Sequence, residues 1–192
     1  MTSSDPAVRR QVLHADLVLL REDASDRARD ALMLEASALA SLPGVAAIGA
    51  IEAAAPSDFD LAFFFILDSQ ADLEAFGTDE RYIRFLQGGL ARAMRSFAGA
   101  DVQLDSSFAG DGAYAACACL IATPHTYDWQ VRDALAAWSS AAAQALRGLA
   151  IGERQRYRGL GIMFSSSPIP LPFPGLEGFG TESISGTWRR LR

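Results

Sequence analysis

Two residues in "LHADLVLL", His14 and Asp16, are the best placed in this chain by type and spacing to move a proton. Side chains alternate across an extended strand. Val12, His14, Asp16, Val18 and Leu20 therefore share one face, and Leu13, Ala15, Leu17 and Leu19 form a wholly apolar other face. On a shared face the carboxylate can orient the imidazole and raise its basicity, giving a general base for enolisation or cyclisation. The same two residues also make a plain structural network whenever a neighbouring acid satisfies a buried histidine. Tyr82 adds a phenol that can donate a proton or hold a developing oxyanion, although a tyrosine on the apolar face of a helix is more often core.

Other chemistry-bearing residues suggest less. His125, in "TPHTYDW", falls in a loop and stands apart from the pair. Arg154, Arg156 and Arg158 in "RQRYR" fall on one strand face, where a solvated or edge-guarding row competes with a carboxylate or phosphate clamp. Cys117 and Cys119 share a strand face and read as small buried filler, since bridging them would strain extended backbone. All 17 basic residues are arginine, so Schiff-base aldolases, pyridoxal phosphate enzymes and Walker-type NTPases, which depend on a lysine amine, are excluded. A net charge of −6 argues against nucleic acid as a partner. The longest apolar run falls short of the roughly 18 residues that span a bilayer, and "MTSSDPAVRRQ" lacks an apolar signal core. The expectation is a cytoplasmic protein with no membrane partner.

The elements that must position these residues repeat. Strand 11–20 precedes a helix capped by Ser25, with Leu32, Ala36 and Leu39 at helical spacing, and "LPG" at 42–44 stops it. "VAAIGAIE" is a second strand and "LAFFFIL", 61–67, a third. Thr78 is expected to cap a helix whose Tyr82, Leu86, Leu90, Met94 and Phe97 share a face, and "ADVQLD", 100–105, closes the set. This β-α-β-β-α-β order is the ferredoxin-like unit. About one hundred residues on, "YAACACLIA", a helix from Asp128, "LRGLAIG" and "LGIMFSSS" echo the opening, before the proline-rich run 165–180 and a last strand, "ESISGTW". The reading is α+β, with a half at 1–108 and a degenerate second half at 109–192, two sheets packing face to face as one barrel.

The strand "LHADLVLL" with its early histidine, "LPGV", and "FDLAFFFILDSQADLEAF" leading into the next helix together resemble the stress-responsive A/B barrel (Dabb) family of the dimeric α+β barrel superfamily. The resemblance covers residues 11–105. It implies a barrel enclosing an apolar cavity, and cyclisation of a polyketide-like molecule without a cofactor, as in olivetolic acid cyclase, using a histidine at the position of His14. A second family histidine lies in a Tyr-x-x-His-Pro-x-His stretch. Here "FGTDERY" replaces it, with Tyr82 at the final position.

The functional expectation is a cofactor-independent cyclase or isomerase acting on a hydrophobic polyketide-like or terpenoid-like molecule, with His14, Asp16 and Tyr82 catalytic. The alternative is a non-catalytic stress-responsive ligand-binding barrel. A haem would need an axial ligand from only two histidines, so no cofactor is expected. Strand 61–67 is apolar on both faces. The apolar face of strand 11–20 is expected under the helices, which turns His14 and Asp16 into the barrel, where Phe63, Phe65, Leu67 and Val18 would line the cavity. Self-association as a homodimer would use an uncovered sheet edge.

Overall fold

The structure, a computed structural model, describes residues 10–54, 57–108, 110, 112–121, 126–140, 142, 144–151, 155–170, 176 and 179–191. His125 and Arg154 lie outside the described residues, as does part of the proline-rich run.

The first half contains β1 (Val12–Leu20), α1 (Asp26–Ala38), β2 (Val45–Ala53), β3 (Leu61–Leu67), α2 (Gln70–Thr78), α3 (Glu80–Phe85), a one-turn α4 (Ala91–Ala93) and β4 (Met94–Leu104). The second contains β5 (Tyr114–Ile121), α5 (Asp128–Ser139), β6 (Gln144–Ala150), β7 (Tyr157–Ser165) and β8 (Gly180–Leu191). Ser25 caps α1 by accepting from the Ala28 amide, and Gly44, at φ +76°, makes the left-handed turn into β2 that residues with a Cβ rarely adopt.

The eight strands close into one barrel in the order β1-β3-β2-β8-β5-β7-β6-β4. Each half supplies a four-stranded antiparallel sheet, and the β2–β8 and β4–β6 ladders join the halves edge to edge. Eight strands leave an interior just wide enough for side chains to fill. Leu13, Ala15 and Leu17 fill it from β1, Phe64 from β3, and Cys117 and Trp188 from the second half. The Phe164 and Trp188 rings meet edge to face at 5.0 Å between centroids, and Phe64 lies 6.1 Å from Trp188. Cys117 and Cys119 are buried free thiols with their sulfurs 3.8 Å apart; that contact, followed by burial, raises the Cys119 thiol pKa.

Helices cover the outer faces. Val12, Val18, Leu61, Phe63, Phe65 and Leu67 pack against α1, α2 and α3, while α5 packs Val131, Leu135 and Trp138 on β5 and β7. Gly161 on β7 makes the second docking close: a Cβ there would stand 2.5 Å from the Trp138 ring.

This arrangement reverses one expectation. The wholly apolar face of β1 faces the barrel interior, and the His14–Asp16 face lies under the helices. A closed barrel interior offers no water and few polar partners, so it takes the strand face without polar atoms. The helix side can accept a charge because a helix can bring a hydroxyl and the site borders solvent. A second difference concerns the helix expected from Thr78. Two short helices stand there: Ser69 caps α2, Thr78 closes it with its hydroxyl on the Glu74 carbonyl, and Asp79 caps α3. The run ends early because Gly88, at φ −92° and ψ −107°, breaks the helical ladder. Met94 and Phe97 then pair with β1 as strand residues.

Candidate functional site

His14 sits mid-strand, with Phe65 of β3 opposite on one side and Asp101 of β4 opposite on the other. Its Nδ1 lies 2.5 Å from Asp101 Oδ1. Its Nε2 lies 2.6 Å from the Tyr82 hydroxyl and 3.0 Å from Asp16 Oδ1. Tyr82 Oη is 3.1 Å from both Asp16 oxygens. The break between α2 and α3 brings Phe76 and Tyr82 over the imidazole together, at ring-centroid distances of 5.9 and 5.5 Å, while Phe65 closes the sheet side at 5.9 Å. Opposite Asp16 on β4 is Gly99, which leaves room beside the carboxylate.

The proton inventory follows from burial. Asp16 is fully buried, and its side-chain partners are Tyr82 and His14. A buried carboxylate is tolerated when donors or a cation compensate it. With both ring nitrogens protonated, Nδ1–H donates to Asp101 and Nε2–H to Tyr82 Oη, and the phenol donates its own proton to Asp16. Burial by itself pulls the His14 pKa down. The Asp16 charge foremost, then the hydrogen bonds to Asp101 and Asp16, overcome it and push the value up to about 10. The ring is therefore an imidazolium at neutral pH. Burial, then the Asp16 charge, raises the Tyr82 phenol as well, so it remains a proton donor.

The site borders solvent at Asp101, whose side chain is 33% exposed against 14% for His14. Asp101 is held from the second half: its amide donates to Gln155 Oε1 at 3.0 Å, and Gln155 Nε2 donates to the Ile151 carbonyl at 2.8 Å. The fold thus brings together His14, Asp16 and Tyr82, and sets Val18, Phe63, Phe65 and Leu67 in the same apolar layer under the helices. Sequence reasoning missed Asp101 and Gln155. The alternation in "ADVQLD" puts Asp101 on the face opposite Ala100, Val102 and Leu104, which is the available signal. Its pairing with His14 is a matter of register between strands 87 residues apart. The two described members of the arginine row are tied into structure: Arg156 pairs with Glu182 and Arg158 with Asp128, and Glu182 also accepts from Tyr157. Among the described residues no three His, Cys, Asp or Glu side chains group as metal ligands. No helix there is long and apolar enough to cross a membrane.

No protein-family model matches the sequence, and no curated protein matches it. Solved structures do. An anthrone oxidase-like protein aligns over 100% of this chain and 94% of its own, at 13% identity and a TM-score of 0.63. A protein described as a putative monooxygenase, from Lactobacillus acidophilus, aligns over 95% of each chain at 9% identity and a TM-score of 0.59. The fold is the one these proteins share. A Dabb family protein with a ferredoxin-like fold from Mesorhizobium loti is also among the structural neighbours. It covers 53% of this chain and 99% of its own, at 14% identity and a TM-score of 0.44.

Proposed function

We propose that this protein is a cofactor-independent cyclase or isomerase of a hydrophobic, polyketide-like or terpenoid-like small molecule, working by proton transfer at the His14 site. The observation that carries the reading is the His14 imidazole held between two carboxylates and a phenol within an aromatic layer, which favours its protonated form. Such a group is poorly suited to begin a cycle as a base, because its proton is already bound at neutral pH. It suits a donor to a carbonyl oxygen that becomes an enolate when that oxygen displaces Tyr82 Oη as the acceptor of Nε2–H, with the displaced Tyr82 phenol turning to the same oxygen as the second donor. Asp101 is the member open to solvent and is the candidate base for the carbon-bound proton, while Asp16 supplies the charge that keeps His14 protonated and oriented. The names of the full-length fold neighbours, an oxidase-like protein and a monooxygenase, accord with small-molecule chemistry on this barrel.

Hydrogen–deuterium exchange alpha to a carbonyl tests this without knowledge of the product. A panel of flat hydrophobic β-keto compounds is incubated with the protein in heavy water and followed by NMR. The wild type should catalyse exchange on at least one of them, and His14→Ala should lower the rate by about 10²- to 10⁴-fold. A rate unchanged in His14→Ala would refute the acid–base role.

The second reading, a ligand-binding barrel without catalysis, is favoured by one observation. The buried members Asp16 and Tyr82 are both satisfied within the network, as in a purely structural cluster. Panel compounds retained by the protein with no exchange on any of them would select it.

A further inference from the structure

A trough runs between α1 and the kinked helical segment that follows α3. One wall is Glu35 and Ala38, the other Arg81 and Arg84, and the floor is Leu39 and Phe85, around a hollow of about 480 Å³. It shares Glu35, Gly89 and Arg92 with a neighbouring hollow of about 330 Å³ that ends at Arg21 and Leu32. The break at Gly88 opens this space, since a Cβ added at Gly88 would meet nothing within 4 Å.

The charges here run against those of the whole chain. The protein carries a net charge of −6, yet Arg21, Arg81, Arg84 and Arg92 line the two hollows, against Glu35 and Asp23. Arg81 is occupied by Asp79 and Arg21 by Asp23. Arg84 and Arg92 make no ion pair or hydrogen bond among the described residues, and they flank the apolar floor. A floor of Leu39 and Phe85 beside Arg84 and Arg92 complements a flat apolar body that ends in a carboxylate, to which arginine donates bidentately. Glu35 is close enough to Gly89 that a Cβ there would touch its carboxylate, so among the described residues it is the one anionic group in the larger hollow and repels a bound carboxylate.

We infer that this trough is a binding site for an aromatic or long-chain carboxylate, separate from the His14 network. The inference stands whether or not that network turns over a substrate. Phe85 lies between them: it forms the trough floor on one side and packs against Tyr82 at 6.4 Å on the other.

Calorimetric titration with naphthalene-2-carboxylate and with 2-naphthylmethanol, its uncharged counterpart, tests the site. The carboxylate should bind at least tenfold more tightly than the alcohol. Arg84→Gln combined with Arg92→Gln should erase that difference, because each lost charge-assisted contact is worth roughly tenfold or more. Glu35→Gln should tighten the carboxylate a few-fold by removing repulsion. Arg95→Gln, an exposed arginine outside the trough paired loosely with Glu22, should change nothing. All four positions are exposed, and unchanged melting temperatures will verify the folds. Equal binding of acid and alcohol, no binding of either, or an acid affinity that survives the double variant would overturn the inference.

Discussion

Raising the pH should destabilise this protein through a single residue. The His14 pKa goes from 6.5 to about 10 on folding, so the native state holds a proton that the unfolded chain releases across that interval. The sign follows: the stabilisation is complete below pH 6.5 and is lost as pH rises through about 10. At about 1.36 kcal/mol per pH unit, the interval from 6.5 to about 10 sets an upper bound of roughly 5 kcal/mol. Solvent screens the partner Asp101, which is one-third exposed, so about 3 kcal/mol is the expected loss. Urea unfolding of the wild type and of His14→Gln, at roughly pH 6 to 10.5, isolates the contribution of His14 because titrations common to both chains cancel. The variant should be less stable by roughly 3 kcal/mol at pH 7, where Asp16 has lost its buried cation, and the two curves should converge near pH 10. Imidazole nitrogen NMR reads the same proton directly. Parallel stability curves, or a His14 ring that titrates below about pH 8, would refute the reasoning.

Gln155→Ala should lower the His14 pKa by less than Asp101→Asn does, since Gln155 acts only by holding Asp101; imidazole NMR ranks the two. Tyr82→Phe should cost about 1–3 kcal/mol in urea unfolding, because the buried Asp16 carboxylate loses its phenol donor. Gly161→Ala should destabilise by roughly 1–3 kcal/mol, seen as a lower melting temperature, because the added methyl meets the Trp138 ring. Phe64→Ala should cost about 3–5 kcal/mol in urea unfolding, because it empties a filled barrel interior.

Local pattern alone determined much of this molecule. Alternation along β1 paired His14 with Asp16, the capping serine at Ser25 started α1, and the echo of "LPGVAAIG" in "LRGLAIG" announced a second ferredoxin-like sheet. These are effects of neighbours in sequence, set by side-chain geometry and helix-end hydrogen bonds. Three things were decided only by tertiary structure. Which face of β1 turned inward depended on how dry the closed barrel is compared with the helix layer, and two faces that are both largely apolar do not reveal this. The partners of His14 depended on register. Asp101 meets it across the β1–β4 ladder and Gln155 reaches in from the other half, contacts that close loops of 87 residues or join residues 54 apart. The charge state of His14 depended on both, because its pKa is lifted to about 10 by two converging carboxylates, Asp16 foremost, against burial that pulls it down. The sequence supplied the histidine and its first aspartate. The β1–β4 ladder supplied the second aspartate and the helices over the sheet supplied the burial, because electrostatic energy depends on distances and solvent exclusion that a one-dimensional pattern does not carry.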